Sequence, residues 1–132
     1  MSEVILKKVG ELKVGNFVLI NGEVCKVVKI NVSKSGKHGA AKAKVEAISL
    51  KDGKKKMVLK STADNIEVPI IEKKTGIVMA ILSEDVAQVM DNSSYETVEA
   101  KIDDELKGKL SEGVEVLYWD MLGEKIIKQI KK

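Results

Sequence analysis

The chain has 132 residues, a length that suits one ordinary domain or two very small ones. No apolar run approaches the ~20 residues that cross a membrane, and the first residues do not resemble a signal peptide. We therefore expect a cytoplasmic protein without a membrane partner. One cysteine, Cys25, and one histidine, His38, exclude an internal disulfide and a four-thiolate or His-rich metal site, so we expect neither a metal nor another cofactor.

Charge is unevenly distributed along the chain. Lysine supplies all 23 cationic residues, against 20 acidic residues, for a net charge of +3. Residues 1–68 hold 14 lysines and 7 acidic residues, a net +7, whereas residues 69–132 hold 9 lysines and 13 acidic residues, a net −4. A basic half joined to an acidic half indicates that the basic half meets a polyanion, with plain solvated surface as the alternative.

The first half of the chain predicts short strands joined by tight turns. Residues 17–20 form an apolar run, which Asn21-Gly22 follows as the strongest two-residue hairpin signal. The next strand is predicted over residues 23–32. Its alternating pattern places four apolar side chains on one face: Val24, Val28, Ile30 and Val32.

A second group of strands follows a polar loop. The strand over residues 43–50 changes its apolar phase between Ala47 and Ile48, which predicts a bulge in that strand. An Asp52-Gly53 turn and a return strand over residues 57–59 then continue a meander over residues 45–68. These short strands and tight turns favour a small SH3-like barrel.

Pro69, the one proline of the chain, stands where the charge balance changes sign. We place a domain boundary there, between a basic SH3-like domain over residues 1–69 and a second domain over residues 70–132. In the second domain, Asp103 is predicted to cap a short helix over residues 104–110. Five strands surround that helix, three before it and two after it: residues 77–82, 86–90, 95–102, 114–119 and 125–130.

This order of strands and helix is the connectivity of an OB-fold, a five-stranded barrel that often binds oligonucleotides. We therefore predict an all-β protein of two small barrels with one short helix. Tyr118-Trp119 could stack on bases in such a fold, but a chain with four aromatic residues favours packing of this pair in the core or at the domain interface. Cys25 lies among valines, which favours a buried, unreactive thiol.

The most unusual segment is a basic loop between two predicted strands. No acidic residue occurs between Glu23 and Glu46, whereas the interval holds six lysines and His38. The core of the loop reads Ser35-Gly36-Lys37-His38-Gly39-Ala40-Ala41-Lys42. Because glycines flank Lys37 on both sides, the backbone can turn sharply, and we expect the Lys37 side chain to project from the tip.

Three kinds of site compete for this loop. A phosphate-binding P-loop needs glycine where Asn31 stands and Ser or Thr where His38 stands, so nucleotide binding is rejected. A catalytic Lys–His pair needs a low-dielectric cleft and partners that tune its pKa, and a loop without carboxylates offers neither. A plain basic hairpin tip that contacts phosphates fits the composition. The scarcity of histidines, cysteines and clustered carboxylates argues against an enzyme.

The core of the loop resembles the modification loop of the translation initiation factor 5A family, whose bacterial relative is elongation factor P. Further motifs resemble the C-terminal domain of that family: Gly76-Ile77-Val78, Asp85-Val86-Ala87-Gln88-Val89-Met90-Asp91, Tyr95-Glu96-Thr97, Glu105-Leu106-Lys107-Gly108 and Tyr118-Trp119. The resemblance covers nearly the whole chain, whose length is similar to that of the archaeal branch. Ser35 stands where the family often has Thr, and Ala40 stands where several members have a second His.

The resemblance implies an N-terminal SH3-like barrel and a C-terminal OB-fold. It also implies that deoxyhypusine synthase converts Lys37 to deoxyhypusine with the aminobutyl group of spermidine, and that many members are then hydroxylated to hypusine. The modified factor is expected to bind the ribosome near the exit site and to direct Lys37 at peptidyl-tRNA. It then promotes peptide-bond formation at stalling sequences such as proline runs and aids termination.

We expect six residues to support Lys37 or to contact RNA beside it: Lys34, Ser35, Gly36, His38, Gly39 and Lys42. The partners are then rRNA, peptidyl-tRNA and the modifying synthase, and the chain is a monomeric translation factor and not an enzyme. The alternative function is an unmodified RNA-binding or ribosome-associated module.

Overall fold

The structure of the chain, a computed structural model, describes residues 4–33 and 41–131. These residues form strands and two single-turn 3₁₀ helices, at Val9–Glu11 and Asp104–Leu106. The strands are β1 (Val4–Lys8), β2 (Phe17–Ile20), β3 (Glu23–Ser33), β4 (Lys42–Ser49), β5 (Lys55–Ser61), β6 (Asn65–Pro69), β7 (Glu72–Ile81), β8 (Val86–Asp91), β9 (Thr97–Ile102), β10 (Glu115–Met121) and β11 (Glu124–Ile130). The all-β prediction is confirmed.

The chain divides into two compact units, an N-terminal unit over Met1–Ile70 and a C-terminal unit over Ile71–Lys132. Pro69 ends β6, and the division falls after the next residue. Each unit has its own apolar core among the described residues. No helix in the part of the chain that the structure describes is long and apolar enough to cross a membrane.

The N-terminal unit contains a curled four-stranded antiparallel sheet in the order β2-β3-β4-β5, and a separate antiparallel pair of β1 with β6. The predicted meander over residues 45–68 is therefore wrong at its last strand, because β6 pairs with β1 and not with β5. Sequence analysis missed β1, whose Val-Ile-Leu-Lys-Lys sequence does not alternate and whose Ile5 and Leu6 side chains are exposed.

Two predicted turns of the N-terminal unit have the expected backbone. Asn21 and Gly22 have φ angles of 53° and 80°, as a two-residue hairpin of β2 with β3 requires. Gly53 has a φ of 72° in the turn between β4 and β5. The Asp52 carboxylate accepts a hydrogen bond from the backbone N–H of Lys54 at 2.9 Å, which closes that turn.

The predicted bulge exists, but it lies in the other strand. Strand β4 alternates regularly, whereas β3 shifts register between Val27, which pairs with Ala47, and Lys29, which pairs with Glu46. Val28 is the extra residue and is exposed. The prediction of one continuous apolar face over Val24 to Val32 is wrong for the same reason, because the inward-facing phase changes at Val28.

The C-terminal unit is a closed five-stranded barrel in the order β7-β8-β9-β11-β10. All neighbouring strands are antiparallel except β9 and β11, which are parallel. This is the predicted OB-fold connectivity, and the barrel interior includes Val78, Val89, Ala100, Val116 and Ile127.

The predicted helix over residues 104–110 is wrong in length. The Asp103 side chain caps the first turn as expected, since it accepts a hydrogen bond from the backbone N–H of Glu105 at 3.1 Å. The 3₁₀ turn ends at Leu106, because Gly108 has a φ of 78° that no right-handed helix accommodates. The strand predicted from Tyr95 likewise begins only at Thr97.

Candidate functional site

The β3–β4 hairpin determines where the predicted modification loop begins and ends. Its ladder of paired residues runs as far as Val32 with Ala43 and Ser33 with Lys42. Residues 34–41 therefore connect two strands that are paired up to their last residue. Six predicted site residues lie outside the described residues: Lys34, Ser35, Gly36, Lys37, His38 and Gly39. Of the predicted set, the structure places Lys42, which is exposed at the start of β4.

The C-terminal end of this loop is held by the turn between β5 and β6. The carbonyl oxygen of Ala41 accepts a hydrogen bond from the backbone N–H of Thr62 at 2.8 Å. The Thr62 carbonyl in turn accepts from Gly10 N–H at 3.0 Å, and a Cβ on Gly10 would lie 3.1 Å from that oxygen. The first 3₁₀ helix, the β5–β6 turn and the base of the loop are thus directly bonded to one another.

The sheet from which the loop extends has one face that packs into the core and one exposed face that carries three lysines beside apolar residues of β5. Ala43, Val45 and Ala47 of β4 are completely buried and pack into the core of the N-terminal unit. Residues that pair across strands share a face, and the side chains of a strand alternate between faces. The opposite face therefore carries Lys42 and Lys44 from β4 and Lys29 from β3, all three exposed.

Glu46 is the acidic residue at the centre of this exposed face, and its charge is compensated. Its carboxylate is only 6% exposed and accepts a hydrogen bond from the Lys55 ammonium at 2.6 Å. The Lys55 hydrogen bond, with the charges of Lys29 and Lys44, holds the pKa of Glu46 below its ordinary value. Glu46 therefore stays ionised and leaves the surrounding lysines as a positive surface.

We call Lys29, Lys42 and Lys44 the lysine row. Sequence analysis selected Lys42 but omitted Lys29 and Lys44 from the site, although all three occur in the acid-free interval. The signal that identifies Lys44 is the spacing of two residues from Lys42 on one strand. Lys29 could not be assigned to the lysine row without the position of the bulge. An unbroken alternation from Val24 places the Lys29 side chain among different neighbours.

Three other candidate residues, Cys25, Tyr118 and Trp119, are buried or half-buried in the fold. Cys25 is completely buried, and burial raises the pKa of its thiol, which confirms the prediction of a buried thiol. Tyr118 is 1% exposed, so it cannot stack on a base. Trp119 is half-buried, with the ammonium groups of Lys128 and Lys73 at 5.0 and 5.8 Å from its ring centre. Within residues 4–33 and 41–131, no three Asp, Glu, His or Cys side chains cluster as a metal site.

Comparison with known proteins decides the family. A family model described as "Translation initiation factor 5A-like, N-terminal" matches residues 2–64. Translation initiation factor 5A of Thermococcus kodakarensis is 44% identical over 128 residues, which are 94% of this chain and 93% of the relative. The factor of the same name from Nanoarchaeum equitans is 48% identical and covers 98% of this chain and 99% of its own length. The chain belongs to the translation initiation factor 5A family.

Solved structures of the 5A family have the same fold as this chain. A protein from Methanococcus jannaschii, named eukaryotic translation initiation factor 5A, is 41% identical with a TM-score of 0.78 and covers 99% of this chain and 97% of its own. A family protein from Naegleria fowleri is 25% identical with a TM-score of 0.64. The relatives are named as translation factors, so the 5A family assigns this chain a part in protein biosynthesis.

Proposed function

We propose that the chain promotes peptide-bond formation on stalled ribosomes, at sites such as proline runs, through a deoxyhypusine or hypusine side chain formed at Lys37. Membership of the 5A family supports this proposal together with one structural observation. The ladder of the β3–β4 hairpin remains paired up to Ser33 and Lys42, and the carbonyl of Ala41 is bonded to Thr62. Strand pairing and the hydrogen bond from Thr62 therefore hold the residues that flank the predicted modification loop.

The chemistry of the proposed modification suits a contact with RNA. An aminobutyl group transferred from spermidine to the Lys37 amine lengthens the side chain and adds a second amine. A flexible ammonium chain can reach phosphate and ribose groups in a narrow channel. The factor would then hold peptidyl-tRNA in a reactive geometry without bond chemistry of its own. In this proposal Gly36 and Gly39 allow close approach of the backbone, while Lys34, Ser35 and His38 orient Lys37.

The lysine row extends the proposed RNA contact from the loop onto the sheet. Lys29, Lys42 and Lys44 lie on the face that continues from the base of the loop, and the buried Glu46 is already paired with Lys55. Phosphate groups that follow the loop would therefore meet cations and no free carboxylate on this face. We also propose that the factor acts as a cytoplasmic monomer and that deoxyhypusine synthase recognises the loop.

Peptide mass spectrometry across Lys37, on protein purified from its native cells, tests the modification. We expect the peptide to gain the mass of an aminobutyl group, with or without one oxygen, and the oxygen distinguishes hypusine from deoxyhypusine. Peptides that contain Lys42 or Lys44 are the internal control and should carry no such gain. An unmodified Lys37 in all of the native protein would contradict the proposal.

An unmodified RNA-binding module is the second candidate function, and the lysine row favours it because those cations need no modification. Lys37→Arg separates the two functions, since arginine keeps the positive charge but cannot accept the aminobutyl group. We expect Lys37→Arg to abolish support for translation of proline-rich messages, whereas Lys42→Arg keeps most of it. Full support by Lys37→Arg would favour the unmodified module.

A further inference from the structure

A second feature of the molecule lies in the turn between β8 and β9. Tyr95 has a φ of 63°, a left-handed conformation that glycine and asparagine adopt readily and that a bulky side chain disfavours. The side chain is nevertheless 73% exposed, so burial does not compensate for the strain. Neither backbone geometry nor packing of the fold accounts for an aromatic residue at this position.

The turn that carries Tyr95 is held by several hydrogen bonds. The backbone N–H groups of Ser93 and Ser94 donate to one carboxylate oxygen of Asp91, at 2.8 and 3.0 Å. Tyr95 N–H donates to the Asp91 carbonyl at 2.9 Å, and Asp91 N–H donates to the Glu96 carbonyl at 2.8 Å. Asp91 itself is buried and accepts a hydrogen bond from the Tyr118 hydroxyl inside the barrel. The ring of Tyr95 is therefore presented from a rigid base.

The charges around the turn select the class of partner. The C-terminal unit carries 9 lysines and 13 acidic residues. Glu96, next to Tyr95 in the sequence, is exposed, and no lysine occurs between Asp91 and Thr97. Lys74 of β7, whose charge acts on Asp91, is paired with Asp120 and Glu72 at 3.4 and 3.9 Å. Surfaces that stack nucleic-acid bases are usually positive, so an acidic surface disfavours RNA here. An exposed aromatic ring with an exposed carboxylate on the next residue instead suits a guanidinium or ammonium group, which can pack on the ring and pair with the carboxylate.

We propose that Tyr95 and Glu96 form a second binding surface of this protein, on the C-terminal unit, for a basic segment of a partner protein. An arginine or lysine side chain of the partner packs on the Tyr95 ring and pairs with the Glu96 carboxylate. The turn is already ordered before the partner binds, so less conformational entropy is lost on binding. This benefit can offset the strain in the backbone of Tyr95. Lys37 belongs to the other unit of the chain, and the proposed binding to Tyr95 and Glu96 does not require modification of Lys37.

A nuclear magnetic resonance titration of the full chain with a hexa-arginine peptide tests this surface. We expect the ring signals of Tyr95 and the side-chain signals of Glu96 to shift and to saturate. Tyr95→Gly should lower the affinity for the peptide by about threefold or more, and Tyr95→Phe should retain it. Glu96→Gln, which keeps both the backbone and the ring, should also weaken binding.

Leu122→Gly is the matched control, because Leu122 is another exposed apolar residue in the left-handed region, with a φ of 54° in the β10–β11 turn. Both glycine variants should melt at or above the wild-type temperature, since both remove backbone strain. Only Tyr95→Gly should lose affinity for the peptide.

Three results would overturn the proposal. The first is a peptide that causes no saturable shift at Tyr95. The second is equal affinity of the peptide for the wild type and for Tyr95→Gly, which would mean that the peptide binds the acidic unit through general charge attraction. The third is an oligouridine that shifts Tyr95 where the peptide does not, which would make the partner a nucleic acid. Each result is independent of the mass of the Lys37 peptide.

Discussion

At the scale of single residues, the most consequential pair in the C-terminal unit is Tyr118 with Asp91. Tyr118 is 1% exposed and Asp91 is 7% exposed, and the phenol donates a hydrogen bond to the carboxylate. That bond and the Ser94 and Ser93 N–H groups hold the pKa of Asp91 below its ordinary value. Burial, together with the Asp91 hydrogen bond, raises the pKa of Tyr118 well above its ordinary range. A buried carboxylate is thereby kept ionised.

We expect Tyr118→Phe to destabilise the C-terminal unit by about 1–3 kcal/mol, because it leaves one buried oxygen of Asp91 without its donor. Urea denaturation at pH 7, followed by tryptophan fluorescence, measures the change. Tyr95→Phe is the control, since it removes a hydroxyl from an exposed tyrosine and should leave stability unchanged. Equal stabilities of Tyr118→Phe and the wild type would contradict this role.

The same pair predicts a dependence on pH. The pKa of Asp91 is lower in the folded than in the unfolded chain. Ionised Asp91 therefore stabilises the fold at pH values above 3.8, the ordinary pKa of an aspartate. That contribution disappears as the pH falls through the lower folded value. The stability difference between the wild type and Tyr118→Phe should therefore be largest near neutral pH and shrink below about pH 4.

At the scale of secondary structure, the bulge in β3 lies partway along the hairpin that leads to the predicted modification loop. Val28 has no place in the β3–β4 ladder, because Val27 pairs with Ala47 and Lys29 pairs with Glu46, the adjacent residue. A bulge increases the local twist and bends its strand. The bulge therefore bends the β3–β4 hairpin before its last pair, Ser33 with Lys42.

We expect a chain that lacks Val28 to fold, since every other pairing of β3 with β4 can be kept and Val28 is exposed. A straighter hairpin should misplace Lys37, so we expect purified deoxyhypusine synthase to modify this variant about tenfold or more slowly. Circular dichroism melts and mass spectrometry of the Lys37 peptide measure the two effects.

Deletion of Asn31 is the control for this experiment. Asn31 pairs with Lys44, so its removal shifts the ladder and should lower stability as well as modification. If the chain without Val28 is modified at the wild-type rate, the bulge does not direct the loop.

At the scale of the whole molecule, charge is divided between the two units. Residues 1–70 hold 14 lysines and 7 acidic residues, and residues 71–132 hold 9 lysines and 13 acidic residues. In the proposed function, binding of the basic unit to RNA releases counterions, so we expect the affinity for RNA to fall as the salt concentration rises. The division of charge is consistent with the two proposed partners, a polyanion for the basic unit and a cationic segment for the acidic unit.

We expect substitution of the lysine row by glutamine to reduce the salt dependence of binding to oligouridine. Each lost phosphate contact lowers the slope of log affinity against log salt by roughly 0.7, so the triple variant should lose about two units of slope. Filter binding over a range of salt concentrations measures this slope. An equal charge change in the C-terminal unit is the control and should leave the slope nearly unaltered: Lys101, Lys109 and Lys131 to glutamine.

Features that depend only on residues close together in the sequence could be predicted from the sequence alone. Asn21-Gly22 marks a hairpin because few residues accept two successive positive φ angles, and Asp103 marks a cap because its carboxylate reaches the N–H two residues later. The alternation along residues 95–102 indicates strand β9 for a similar reason, since burial on one face requires a period of two. The motif around Lys37 indicates the family from the sequence alone.

Features that join distant segments required the folded molecule. The pairing of β1 with β6 brings together residues about sixty positions apart, and no pattern within either strand specifies its partner. The sequence predicts the bulge in β4, where the apolar phase changes. The structure has the extra residue, Val28, in β3, because a change of phase in one strand can be accommodated by the strand that pairs with it. Compensation of Glu46 by Lys55 and the hydrogen bond from Tyr118 to Asp91 have the same origin. Each results from side chains that become neighbours only after the strands have assembled.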